Sequence, residues 1–150
     1  MPAFDTAARE GFLKRLERLT PEHQPKFGSL SAARMVAHLT MAVGGSLEGA
    51  KALAGGNAFM RTGLFHFLVL YVLPWPKGKI KVPASLTPEV SGSPADHLPA
   101  LREAMERFAR AAEATPAKTS LHPMFGNLTY RTWAKFHHRH FQHHLDQFGV

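Results

Sequence analysis

The last stretch of the chain constrains it most. From Thr129 to Gly149 it reads TYRTWAKFHHRHFQHHLDQFG, with no proline and no internal glycine. Thr129 is an N-cap residue and Gly149 a C-terminal stop, so one helix is expected through Phe148. With Trp133 at zero and about 100° per residue, Phe136 falls near 300°, His137 near 40°, His140 near 340°, His144 near 20°, Gln147 near 320° and Phe148 near 60°. His138, at about 140°, lies well off this face and His143, at about 280°, on its edge. His140 and His144 therefore sit in the centre of an apolar stripe. Five histidines fall within eight positions here, interrupted by Arg139, Phe141 and Gln142, which is not the pattern of a purification tag. A helix of this kind must be covered by other helices, and it carries imidazoles into whatever core they form.

The rest of the chain offers those partners. Residues 4–19 read as an amphipathic helix on Phe4, Ala8, Phe12, Leu16 and Leu19, capped by Asp5 or Thr6 and stopped at Thr20-Pro21. Residues 31–53 read as a second helix, capped by Ser31 and ended by Gly55-Gly56. Its apolar face carries Met35, His38, Leu39, Ala42 and Leu47, and Gly44-Gly45 predicts a bend or a close helix contact. Residues 58–73 fit either a short helix or strand-like structure, with length and the preceding Gly-Gly-Asn favouring a buried helix, and 74–93 read as a long proline-rich loop. A third long helix is expected over 95–113, capped by Ser93 or Asp96 and ended by Thr115-Pro116. Residues 117–128 read as a linker. Four long helical patterns without a clear strand predict an all-α bundle, a single domain over 1–150.

Charge and composition exclude several function classes. Lys plus Arg exceed Asp plus Glu, 18 against 11, but the cations are scattered and the densest run is KGKIK at 77–81. Without zinc-finger cysteines, an aromatic RNA-binding run or a basic heptad, nucleic acid is not an expected partner. The absence of cysteine rules out disulfides, thiolate metal sites and a cysteine nucleophile, and fits a reducing compartment such as the cytoplasm. The charged start lacks an apolar leader. The longest apolar run, Leu64 to Trp75, falls short of the roughly 20 residues a membrane span needs. It is expected to be a buried core segment, with an interfacial segment as the alternative and no membrane among the partners.

Two histidines four apart on one helix face have Cβ atoms about 5–6 Å apart and can meet at one ion through bonds of about 2.0–2.1 Å. The best third ligand is His38 on the second helix. The competing reading is three hydrogen-bonded core histidines, each of which must then find a donor and an acceptor.

At these residues the chain resembles the DinB/YfiT-like superfamily of metal-dependent four-helix-bundle proteins. Its H-x-x-H-H-x-x-Q signature is matched by His140, His143, His144 and Gln147, and its early M-x-x-H-L histidine by His38 in RMVAHL. Within the superfamily the chain is most similar to an uncharacterised branch, on FGSLSAARMVAHL, PWPKGK, HPMFGNLTYRTW and RHFQHHLDQFG. The resemblance implies a DinB-like four-helix bundle, up-down-down-up, holding a divalent metal ion, zinc or nickel, on His38, His140 and His144. It implies a metal-dependent hydrolase or a low-molecular-weight-thiol transferase, with a small-molecule substrate or thiol as partner. The alternative is a non-catalytic metal or small-ligand binding module, or a stress-related one. A homodimer is compatible with an apolar bundle.

The residues themselves do not name a catalytic acid or base. No glutamate adjoins the histidine pair, and Asp146 points away at about 220°. Gln147 either orients an imidazole or makes a bundle hydrogen bond. His122 in its His-Pro turn is expected to be structural, His66 is either core or pocket, and Trp133 and Phe148 belong to the core.

Overall fold

The computed structural model describes residues 4–79 and 84–150. In chain order these form α1 (Thr6–Leu16), α2 (Ala32–Glu48), a short α3 (Gly63–Phe67) that runs on through a wide helical turn (Leu68–Val72), α4 (Leu98–Ala114), β1 (Thr119–His122), β2 (Gly126–Thr129) and α5 (Tyr130–Phe148). Lys81 of the basic run and Pro83 lie outside the described residues.

Side-chain caps set the helix starts. Asp5 accepts from the Ala8 N–H at 2.8 Å, Ser31 from Arg34 at 3.2 Å and Thr129 from Thr132 at 3.1 Å. Each such cap stabilises its helix by about 0.5–2 kcal/mol. Ahead of α4, Ser93 and Asp96 cap each other's backbone over a 3-10 turn, Pro94–His97. Gly149 ends α5 in the left-handed region, at φ 70°.

The apolar faces meet as their periodicity requires. Leu16 of α1, Met35 and Leu39 of α2, Leu101, Met105 and Phe108 of α4 and Phe141 and Leu145 of α5 form one buried cluster. Helix α2 packs on α4 and α5, and α1 packs on α5 and α4.

Four sequence expectations need correction. The segment 117–128 is not a plain linker: β1 and β2 pair antiparallel, Thr119 opposite Thr129 and His122 opposite Gly126. The chain is therefore mostly helical with a small two-stranded sheet, rather than all-α. Its turn is held by the His122 Nδ1, which accepts from the Met124 and Phe125 N–H groups at 3.1 Å each. Helix α2 stops at Gly49, before the expected Gly55-Gly56, because the hairpin abuts it. Ser120 Oγ donates to the Ser46 carbonyl at 2.5 Å, and the Ala50 N–H to the Leu121 carbonyl at 2.8 Å. Gly49 has φ 79°, and a Cβ there would meet the Leu121 nitrogen at 2.7 Å. Of the two alternatives expected at Gly44-Gly45, the close helix contact is not made, since a Cβ on either meets nothing within 4 Å. Finally, the 58–73 segment is helical but only partly buried: Leu70 faces the core, while Leu64, Phe67 and Val72 are exposed.

Candidate metal centre

His38 comes from the middle of α2, and His140 and His144 from successive turns of α5. All three are buried. The Nε2 of His140 lies 3.0 Å from the Nε2 of His38 and 3.1 Å from the Nε2 of His144. One ligand atom from each residue falls within 4.8 Å of the other two, which is close enough to bind a metal ion.

The hydrogen bonds fix where two of the protons sit. The His38 Nδ1 is 2.6 Å from the Leu86 carbonyl, which only accepts, so Nδ1 carries the hydrogen and Nε2 is bare. The His144 Nδ1 is 2.7 Å from Gln147 Oε1. Gln147 Nε2 donates to the Phe27 carbonyl at 2.8 Å, which turns Oε1 toward the histidine. His144 is thus also protonated on Nδ1 and bare on Nε2. His140 has no hydrogen-bond partner at its buried Nδ1.

This arrangement is hard to satisfy with imidazoles alone. A proton on His140 Nε2 serves one neighbour and leaves the other lone pair without a donor. A proton on its Nδ1 leaves three lone pairs facing one another. Either outcome buries an unsatisfied polar atom, at a cost of about 1–3 kcal/mol. A cation uses all three lone pairs. With metal–nitrogen bonds of about 2.0–2.1 Å, ligands on one ion stand about 2.8–3.4 Å apart between right-angle and tetrahedral arrangements. The two measured separations, 3.0 and 3.1 Å, agree with that.

Burial also keeps the rings neutral. It lowers the pKa of His38 despite the opposing bond to Leu86. It holds His140 well below its ordinary value, aided by the neighbouring His144 and His38. It pushes His144 down to about 3, with His38 adding and Gln147 opposing. Three neutral donors leave a bound divalent ion its full charge.

The remaining histidines stand elsewhere. His137 donates from Nε2 to Ser46 Oγ at 2.9 Å, since that hydroxyl spends its own hydrogen on the Val43 carbonyl at 2.6 Å. His138 packs on Phe12, its ring centre 5.0 Å away. His143 is half-buried beside His144, between Phe27 and Trp75. His66 donates to the Phe125 carbonyl at 2.9 Å, on the far side of the His122 turn. Trp133 and Phe148 are core residues, and Gln147 both orients His144 and ties α5 to the loop at Phe27.

Sequence reasoning missed two contributors. The Leu86 carbonyl, from the long loop, anchors His38 through the backbone and leaves no mark on residue type. Trp75 lies over the site, its ring centre 6.1 Å from that of His140. The sequence signal was the proline-flanked tryptophan of PWPKGK.

No curated protein and no solved structure matches the chain. A family model does, over residues 3–149, so the chain belongs to the family described as "Protein of unknown function (DUF1569)".

Proposed function

We propose that His38, His140 and His144 hold one divalent ion, zinc or nickel, inside a DinB-like four-helix bundle spanning 1–150. The observation that carries this reading is the paired anchoring of His38 Nδ1 on Leu86 and His144 Nδ1 on Gln147, which aims two bare Nε2 atoms at the Nε2 of His140. Metal-bound histidines almost always donate their other ring N–H to an oxygen in this way.

The function we assign is that of a metal-dependent hydrolase or a low-molecular-weight-thiol transferase. A divalent ion held by His38, His140 and His144 would supply Lewis-acid activation of a water or a thiol. The chain's own residues do the rest. Leu86 and Gln147 hold the tautomers, and the rings of Trp75 and Phe136 pack against His140 and limit bulk water there. His143 stands half-buried beside His144, between Trp75 and Phe27. The cluster holds no carboxylate, so the site lacks the acidic ligand that would reduce the ion's net charge.

Elemental analysis of untagged protein, beside the His140→Ala, His144→Ala double variant, tests this reading. Near one metal ion per chain is expected in the wild type and none in a variant that keeps its helical circular dichroism. A wild type that is empty and fails to take up zinc or nickel refutes it.

A further inference from the structure

The helical segment from Gly63 to Val72 is apolar on two sides. Leu70 is buried against the core, with Phe65, His66 and Val69 half-buried about it. Leu64, Phe67, Leu68, Tyr71 and Val72 recur at three- and four-residue spacing and form a second stripe. Three of its members face outward, Leu64 at 61% exposed, Phe67 at 54% and Val72 at 56%, while Leu68 and Tyr71 are half-buried and Tyr71 packs against the core. Phe67 and Tyr71 stack on one another with ring centres 5.4 Å apart. Of the large hydrophobic residues that are exposed among the described residues, all but Met41 lie between Leu53 and Leu73.

The sequence that carries the stripe has charge of one sign. No Asp or Glu occurs from Gly49 to Pro88, while the same stretch carries Lys51, Arg61, Lys77, Lys79 and Lys81. Helix α5 brings two further cations to it. Lys135 Nζ lies 5.5 Å from the Tyr71 ring centre, and Arg139 donates to the Leu73 carbonyl at 2.7 Å. A second copy docking by this face would set these cations against their equivalents. A nucleic acid could stack on the Phe67 ring but would also meet the aliphatic tips of Leu64 and Val72, which offer it neither hydrogen bonds nor a stacking surface.

We infer that this face docks on a bilayer surface bearing anionic headgroups, inserting Leu64, Phe67 and Val72 while Lys135 and Arg139, beside Tyr71 and Leu73, meet the phosphates. The stripe spans about 12 Å at the usual helical rise, so it lies in the interface plane rather than crossing it. Among the described residues no helix is long and apolar enough to cross a membrane. Cations flanking an apolar in-plane segment are the chemistry that selects an anionic leaflet.

Sedimentation of the untagged full chain with large vesicles tests this, independently of the metal centre. One set is phosphatidylcholine alone, the other equal parts phosphatidylcholine and phosphatidylserine. At low salt, partitioning into the serine-containing vesicles is expected to be at least about tenfold stronger. The Leu64→Ser, Phe67→Ser double variant should lose it and the Lys135→Glu variant should weaken it severalfold, both with the helical circular dichroism retained. Absence of partitioning overturns the inference, as does partitioning that survives Leu64→Ser, Phe67→Ser. A wild-type dimer that this variant converts to monomers would assign the face to a second copy. Tighter binding to an oligonucleotide than to vesicles would assign it to nucleic acid.

Discussion

Acid should unfold the metal-free protein well above the pH at which its carboxylates titrate. His122 and His137 are buried, 8% and 0% exposed, and both are held neutral by that burial. The His122 pKa is lowered to about 4 and the His137 pKa to about 3, from 6.5. In the unfolded chain each binds a proton near pH 6.5. Between that value and the folded-state pKa the unfolded state therefore holds more protons, and the free energy of unfolding falls as pH falls. From pH 7 to pH 5 the loss is about 2 kcal/mol for each residue, about 4 kcal/mol for the pair. A domain of this kind has only about 5–15 kcal/mol in total. In the presence of a chelator, His38, His140 and His144 titrate in the same direction and add to the loss. Urea unfolding followed by circular dichroism, in steps from pH 7 to pH 5, measures this as a falling midpoint. The variant His122→Asn isolates one share. Its side-chain oxygen can accept the Met124 and Phe125 N–H groups in place of Nδ1, but it does not titrate. It should unfold with a shallower pH slope, by about one proton between pH 6.5 and 4. A flat midpoint between pH 7 and 5, or a variant with the wild-type slope, would refute the assignment of these histidines as buried neutral groups.

Further outcomes follow from other parts of the molecule. Gln147→Leu should weaken zinc binding about 10–100-fold by releasing the His144 ring, read by competition with a chromophoric chelator. Zinc at about 100 times its dissociation constant should stabilise the wild type by about 2.7 kcal/mol, seen as a rise in melting temperature that His140→Ala, His144→Ala lacks. Gly49→Ala should cost about 1–3 kcal/mol in urea unfolding, because its backbone has φ 79° and the hairpin leaves no room for a Cβ. Leu16→Ala, at a fully buried position, should cost about 2–5 kcal/mol by the same assay.

The helix faces were legible because their burial follows from period and caps. Asp5, Ser31, Ser93, Thr129 and Gly149 all act where their residue types suggest. The histidine cluster was legible for the same reason: His140 and His144 share a stripe with Trp133, and His38 sits beside Leu39. The hairpin was not, because strands of four residues carry no usable alternation, and its turn depends on an imidazole accepting two backbone protons. The end of α2 was misplaced because Gly49 stops it through contact with a distant strand, whereas Gly55-Gly56 is the stronger local signal. The 58–73 segment has the composition of a core helix on every side. Only the assembled fold decides which side is left uncovered.

The anchoring of His38 by the Leu86 carbonyl has a consequence for genetics. An alanine scan would pass over position 86 in silence, since Leu86→Ala keeps the same oxygen. The side chain there is free to drift while the contact persists. What the position cannot tolerate is a shift of the chain itself, by an inserted or deleted residue between the 3-10 turn Ala84–Leu86 and α4. At position 86 the constraint falls on the course of the chain, whereas Ser93 farther along the same loop is held to its residue type by the cap it makes.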